Sequence, residues 1–228
     1  MGSTVKYILL TPKTWHTTLF RELSAQKPEE WLHITQKEDF TAEKLAVINP
    51  QYVFIPHWSY IIPKEIFENH TCIVFHMTDL PFGRGGSPLQ NLIVRGLTET
   101  KISAIKVEEG LDTGDVYLKR PVSLHGTAEE IFIRMATLIK GMIEEIIANN
   151  TQPVQQQGEP TVFKRRKPED SNIAHLESIE QLYDYIRMLD CEGYPNAFVE
   201  IDKFRLEFTR ASLKGEESII ADVRITKK

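Results

Sequence analysis

Short apolar blocks recur along the first half of the chain, each stopped by a turn signal. Residues 5–10 form an apolar run ended by Thr11-Pro12, and residues 31–35 and 52–55 form two more. Between them, residues 14–24 and 42–48 carry apolar positions at helical spacing, and Asn49-Pro50 stops the second helix because the residue before proline leaves the α region. This β-α-β-α-β order predicts a doubly wound, mostly parallel α/β sheet. Cys72 to Phe75 reads as a further buried strand. A helix is predicted over 88–95, with Ser87 as N-cap, Pro88 at N1 and Gly96 as C-cap. Residues 100–107 and 116–124 then alternate as strands, the second pairing antiparallel with the first. Thr127-Ala128-Glu129-Glu130 is a capping box that opens a helix over 128–148. Its apolar positions Ile131, Met135, Leu138, Ile139, Met142, Ile146 and Ile147 mark a core face. Residues 151–160 are glutamine-rich and read as a linker. The rest predicts a small α+β appendage: a helix over 179–189 and strands over 197–201, 205–211 and 218–225.

Composition narrows this picture. The 228 residues suffice for one ordinary domain, here 1–165, with a small second one, 166–228. A hydrophobic fraction of 41% and a charged fraction of 26% are those of a soluble globular protein. The net charge of −5 offers no basic field for nucleic acid or an anionic membrane. The two cysteines have no metal-type spacing and read as reduced thiols, and no apolar run nears the ~20 residues of a membrane span. A cytoplasmic protein without metal, monomeric or homodimeric, is expected.

The chemistry concentrates between His76 and Asp112. The string runs HMTDLPFGRGGSPLQNLIVRGLTETKISAIKVEEGLD, with two prolines and three glycines in the nine residues 80–88. Such a segment is a shaped loop. His76 and Asp112 end two different strands, where ligands of open α/β sheets bind. No G-x-G-x-x-G follows the first strand, which disfavours a dinucleotide.

His-x-x-x-Leu-Pro-x-x-Arg-Gly-x-x-Pro, followed at the right distance by Leu-Asp-Thr-Gly-Asp, resembles the folate-dependent formyltransferase family over roughly residues 5 to 165. The resemblance implies a Rossmann-like formyltransferase sheet, N10-formyltetrahydrofolate as donor and an amine as acceptor. It makes His76 and Asp112 the catalytic residues. It places folate contacts at Trp58, Ser59, Tyr60 and Ile62 on one side, and at Val107, Glu108, Gly110 and Asp112 on the other. Substrate contacts fall to Thr78, Arg84, Gly85, Gly86, Ser87 and Asn91, where Arg84 either touches the ligand or, as preferred, orients the loop by bonding carbonyls, and Gly85 and Gly86 allow close backbone approach. The family's third catalytic residue, an asparagine two places before the histidine, is Val74 here. A donor aimed at the developing oxyanion is worth ~3–4 kcal/mol. Either imidazolium and backbone N–H groups serve the oxyanion, or Thr78, Ser59 or Asn91 does, or the enzyme is weak or inactive.

The string from Ile186 to Phe198 resembles bacterial sugar N-formyltransferases and the related formylation domains of peptide synthetases, and the wording FHMTDLPFGRGGSP with RRKPED resembles the nucleotide-amino-sugar branch of the pseudaminic-acid type. That implies a nucleotide-linked amino sugar as acceptor, no nucleic acid partner, and surface-glycan biosynthesis. The cationic run Lys164 to Lys167 is either a solvated surface or, through Arg165 or Arg166, a diphosphate contact. A carrier-bound amino acid as acceptor, and a non-catalytic folate or nucleotide-sugar binding module, are the alternatives.

Overall fold

The computed structural model describes residues 4–25, 29–215 and 217–228. In chain order it opens with β1 (Lys6–Leu10), a 3₁₀ turn (Thr14–His16), α1 (Thr17–Ser24), β2 (Glu30–Ile34), α2 (Ala42–Ile48), β3 (Tyr52–Ile55), α3 (Lys64–Phe67) and β4 (Cys72–His76). There follow β5 (Arg84–Gly85), α4 (Pro88–Ile93), β6 (Glu99–Lys106), β7 (Val116–Ser123) and α5 (Ala128–Asn149). β8 (Val162–Phe163), a 3₁₀ turn (Pro168–Ser171), α6 (Ile179–Arg187), β9 (Ala197–Ile201), β10 (Phe204–Leu213) and β11 (Ile219–Lys227) complete the chain. No helix among the described residues is long and apolar enough to cross a membrane.

The chain divides into two compact units, residues 1–84, 101–122 and 133–162 in the first and the remainder in the second. Residues 85–100 and 123–132 thus group with the C-terminal residues.

The first unit holds the main sheet, ordered β2-β1-β3-β4-β6-β7. β1 pairs parallel with β2 and β3, β3 parallel with β4, and β6 runs antiparallel to β4. The order reverses at β1, so the C-terminal ends of β1 and β3 flank a switch point of the doubly wound kind. Ile8, Leu10, Val53, Ile55 and Cys72 from the strands meet Leu45 of α2 and Ile66 of α3 in one core cluster. Each such side chain contributes roughly 1.5–3 kcal/mol on burial.

Local signals explain most boundaries. Thr41 caps α2 by accepting from Lys44 N, and Asn49 ends it in the left-handed region at φ 51° before Pro50. Glu130 accepts from Thr127 N at 2.8 Å while Thr127 Oγ1 accepts from Glu130 N at 3.2 Å, closing the capping box at the start of α5. Ser87 departs from expectation. It lies at φ 51° without a capping hydrogen bond, and its Oγ accepts from Arg166 N at 3.0 Å instead. Residues 151–160 also do more than cross the surface. Val154 exchanges two backbone hydrogen bonds with Val116, of 2.8 and 2.9 Å, and so extends the sheet beyond β7.

In the second unit β11, β10 and β9 form an antiparallel sheet in that order. Arg187, at the end of α6, donates to the carbonyls of Leu124 and Gly126 and pairs with Asp184. Gln90 of α4 donates to Met188 O at 3.1 Å, and Phe132 stacks on Tyr194. These bonds account for residues 85–100 and 123–132 joining this unit.

Candidate active site

Alternation along β4 puts Cys72, Val74 and His76 on one side of the strand. His76 ends it, 7% exposed, with Ser103 of β6 opposite. Its Nε2 stands 2.8 Å from Gly83 O. A carbonyl only accepts, so Nε2 bears the hydrogen and Nδ1 is the nitrogen that gains and loses a proton. Nδ1 faces Asp112 Oδ2 at 3.5 Å. Thr78, fully buried, donates to the same Gly83 carbonyl at 3.3 Å. Ser103 Oγ donates to Thr78 O at 2.7 Å and accepts from Leu80 N at 3.3 Å, which pins the base of the loop to β6. The Leu80–Pro81 peptide is cis.

Asp112 sits at φ 54°, in the left-handed region, within the turn that joins β6 to β7. The turn is shaped by its neighbours. Gly110 holds φ 102°, and Thr113 Oγ1 donates to Glu109 O at 3.0 Å. A Cβ on Gly114 would fall 1.8 Å from Lys106 O, so only glycine fits there. Gln156 reaches in from the polar segment: its Nε2 donates to Asp112 O at 2.9 Å and to Gly114 O at 2.8 Å. The Oε1 atom of Gln156 accepts Nε and Nη2 of Arg84 at 3.2 and 2.8 Å.

Arg84 is therefore a loop-orienting residue in this structure. Gly83 N and Arg84 N both donate to Thr161 O, and Thr161 N to Pro81 O, which fixes the loop further. In the second unit the glycines serve close approach by the chain itself. A Cβ on Gly85, at φ 106°, would lie 2.4 Å from Phe163 O, and one on Gly86 would lie 2.6 Å from Arg165 Cβ. The Asn91 amide is spent on the carbonyls of Gly86, Ser87 and Lys164 at 2.9–3.0 Å. Arg166 donates to Asp170 O and lies 5.1 Å over the Tyr185 ring, whereas the Arg165 residue is exposed. Of the three side chains considered as substitutes for the absent asparagine, Thr78 alone shares a carbonyl with His76. Ser59 is exposed on its loop.

Trp58, Val74 and Val107 pack against one core cluster, of which Ile62 is a buried member. Tyr60 is 52% exposed, with its ring 5.3 Å from that of Trp58. Glu108 pairs with Lys106 at 2.8 Å. The sequence reads His57 as a strand-end histidine and not a second catalyst, and gives no sign of Gln156, Ser103, His16 or His33, the last two of which gather with His57 at the ends of β1 and β3. Thr11 Oγ1 lies 2.9 Å from His16 Nδ1, Thr11 O accepts from His33 Nε2 at 3.1 Å, and the rings of His16 and His57 stand 6.5 Å apart. Burial, then the nearby His57, pushes His16 down to about 3; burial, then Lys13, does the same to His57. Both are neutral imidazoles.

Asp112 thus lies in the turn after β6, not at a strand end as the sequence pattern suggests, and a doubly wound sheet with a histidine at one strand end and this aspartate in the following turn, beside a shaped loop, is the architecture expected of a formyl-transferring enzyme. The family model described as Formyl transferase matches residues 20–146, more than half of the chain, and the chain belongs to that family. A second model, described as Methionyl-tRNA formyltransferase, C-terminal domain, matches residues 168–226. The structure of a methionyl-tRNA formyltransferase from Clostridium thermocellum is 54% identical, covers 98% of this chain and 100% of its own, and superposes with a TM-score of 0.96. A methionyl-tRNA formyltransferase of Thermodesulfovibrio yellowstonii is 30% identical over 66% of this chain and 52% of its own length. One from Marinobacter nauticus is 27% identical over 84% and 66%. The chain thus spans about half to two thirds of the length of the curated relatives it matches. The sugar N-formyltransferase of Shewanella sp. shares the fold, with a TM-score of 0.67 at 15% identity.

These matches bear out the formyltransferase fold and support a folate-dependent enzyme. They overturn the acceptor expected from the motif wording. The nucleotide-linked amino sugar of the pseudaminic-acid type, the glycan context and the exclusion of nucleic acid all conflict with whole-chain similarity to a methionyl-tRNA formyltransferase. The physical reason is that the motif lies around His76 and Asp112, where the family resemblance places chemistry shared by every acceptor amine, so its wording does not report which acceptor is bound. Net charge does not exclude nucleic acid either, since nucleic acid responds to local cations and not to the sum.

Proposed function

We propose that the chain transfers a formyl group from N10-formyltetrahydrofolate to the amine of methionyl-tRNA. The single observation that carries this reading is the 54% identity, over 98% of this chain and all of the other, to a methionyl-tRNA formyltransferase. The geometry around His76 supplies the chemistry. The acceptor nitrogen attacks the formyl carbon and forms a C–N bond while its proton passes to Nδ1, because Nε2 already bears a hydrogen for Gly83 O. Asp112 then faces the imidazolium and stabilises it. Collapse of the tetrahedral adduct breaks the bond between the formyl carbon and N10, and N10 recovers the proton. The apolar packing of Trp58, Ile62 and Val107 supports a flat ring lying beside them. Lys164, Arg165 and Lys167 are exposed and offer local cations to phosphates despite the net charge of −5.

The test is incubation with N10-formyltetrahydrofolate and methionyl-tRNA, with formyl-methionyl-tRNA followed by mass after deacylation. Product formed by the native chain, lost in His76→Ala and weakened by added salt, is expected. Absence of product at saturating folate and tRNA would refute the reading.

A further inference from the structure

We infer that Gln156 is a positioning residue that sets the relation of Asp112 to His76, an inference that rests on the formyl-transfer reading above. A carboxamide has two hydrogens to give and one oxygen to accept with, and Gln156 spends all of them on two segments. The oxygen holds Arg84, which directly follows Gly83, the residue whose carbonyl takes His76 Nε2. The two hydrogens hold the carbonyls of Asp112, whose own carboxylate faces His76 Nδ1, and of Gly114 two residues on. One side chain thus ties together the segments that define both nitrogens of the imidazole.

The clamp answers a particular need. Asp112 is held at φ 54°, a left-handed conformation that a non-glycine residue adopts at a cost and keeps only when its surroundings enforce it. Gln156 donates to the carbonyl of that very residue. Its own place is fixed two residues earlier, where Val154 joins the sheet edge through two hydrogen bonds with Val116. Without the clamp the carboxylate can drift, and a displacement near 1 Å at a reacting centre costs on the order of a hundredfold in rate.

Two substitutions separate the halves of the clamp. Gln156→Glu keeps an acceptor for Arg84 but brings oxygens against the Asp112 and Gly114 carbonyls. Gln156→Met keeps the length and removes both halves. The native full-length chain, both variants and Arg84→Lys would be compared by thermal unfolding, by imidazole ¹⁵N shifts of His76, and by kcat and KM with N10-formyltetrahydrofolate and methionyl-tRNA. We expect kcat to fall roughly tenfold to a hundredfold in both Gln156 variants, KM to stay within about threefold, and the His76 ¹⁵N shifts to move. Arg84→Lys is expected to be milder, since the carbonyls of the turn keep their donors. Unchanged His76 shifts in both variants would overturn the inference, whether kcat is native or falls only in step with Tm. A native chain that forms no product defeats the functional reading, and the ¹⁵N comparison then decides the role of Gln156 by itself.

Discussion

His76 Nδ1 and Asp112 Oδ2 face one another at 3.5 Å, with only 7% and 13% of the two side chains exposed. Because Gly83 O occupies Nε2, this pairing leaves Nδ1 as the atom that exchanges a proton. Asp112→Asn keeps the shape and removes the charge that faces His76 Nδ1. The expected result is a loss of roughly 10²–10⁴ in kcat, with little change in tetrahydrofolate affinity, measured by steady-state kinetics and titration calorimetry. A matching loss of folate affinity would instead make Asp112 a binding residue.

Both partners in that pairing were legible in the sequence, as were the strands and helices that carry them. His76 ends an apolar run and Asp112 sits in an Asp-Thr-Gly-Asp turn, so local pattern located each. Gln156 was not legible, because one glutamine among three successive ones has no pattern of its own, and its role follows from where residues 151–160 meet β7. Ser87 was misread for the same reason: capping chemistry is local, but the donor that took its hydroxyl is Arg166, 79 positions away. The acceptor was beyond local pattern altogether, since it is defined by what the chain resembles over its length.

Gly114 decides whether the Asp112 turn can exist. A Cβ placed 1.8 Å from Lys106 O must push the turn from β6, and that oxygen is backbone that cannot rotate away. Gly114→Ala is expected to destabilise the fold by about 1–3 kcal/mol in urea titration and to lower kcat further than the lost stability explains. Native activity with a native midpoint would show that the turn repacks without consequence.

Val74 stands two residues before His76 on the same side of β4, packed against Leu80, Ile105 and Val116. An asparagine there introduces a donor near the site of developing negative charge, at the expense of burying an amide. Val74→Asn is expected to lose about 1–3 kcal/mol of stability and to gain at least tenfold in kcat, since such a donor is worth ~3–4 kcal/mol in other acyl transfers. No gain in rate would mean that the oxyanion is already served by groups present, Thr78 first among them.

Asp79 lies beside the loop and pairs with Lys101 at 2.8 Å and Lys119 at 2.6 Å. Burial works against its charged form, but the hydrogen bonds from Lys101 and Lys119 outweigh burial and hold its pKa below the ordinary value. A depressed carboxylate contributes stability above its unfolded pKa of about 3.9 and loses it as pH falls through the lower folded value. Asp79→Asn is therefore expected to lower Tm at pH 7, with the gap to the native chain closing below about pH 4.

The histidine group at the ends of β1 and β3 has the opposite chemistry and acts over a higher pH range. His16 is 2% exposed, and Thr11, Lys13, His33 and His57 surround it; its pKa lies near 3 against 6.5 for an ordinary histidine. The fold accepts only the neutral ring, so above pH 6.5 the residue costs nothing. Below that value the unfolded chain binds a proton that the folded one refuses, and stability falls by about 1.4 kcal/mol per pH unit for each such histidine until the folded pKa is reached. His57, also near 3, adds a second share. His16→Gln keeps an acceptor for the Thr11 hydroxyl and removes one titration. Unfolding free energies from urea titrations between pH 7 and pH 4 should therefore decline less steeply in His16→Gln than in the native chain, by about 1.4 kcal/mol per pH unit below about pH 6.5, and parallel curves would show that His16 takes up its proton without opening the fold.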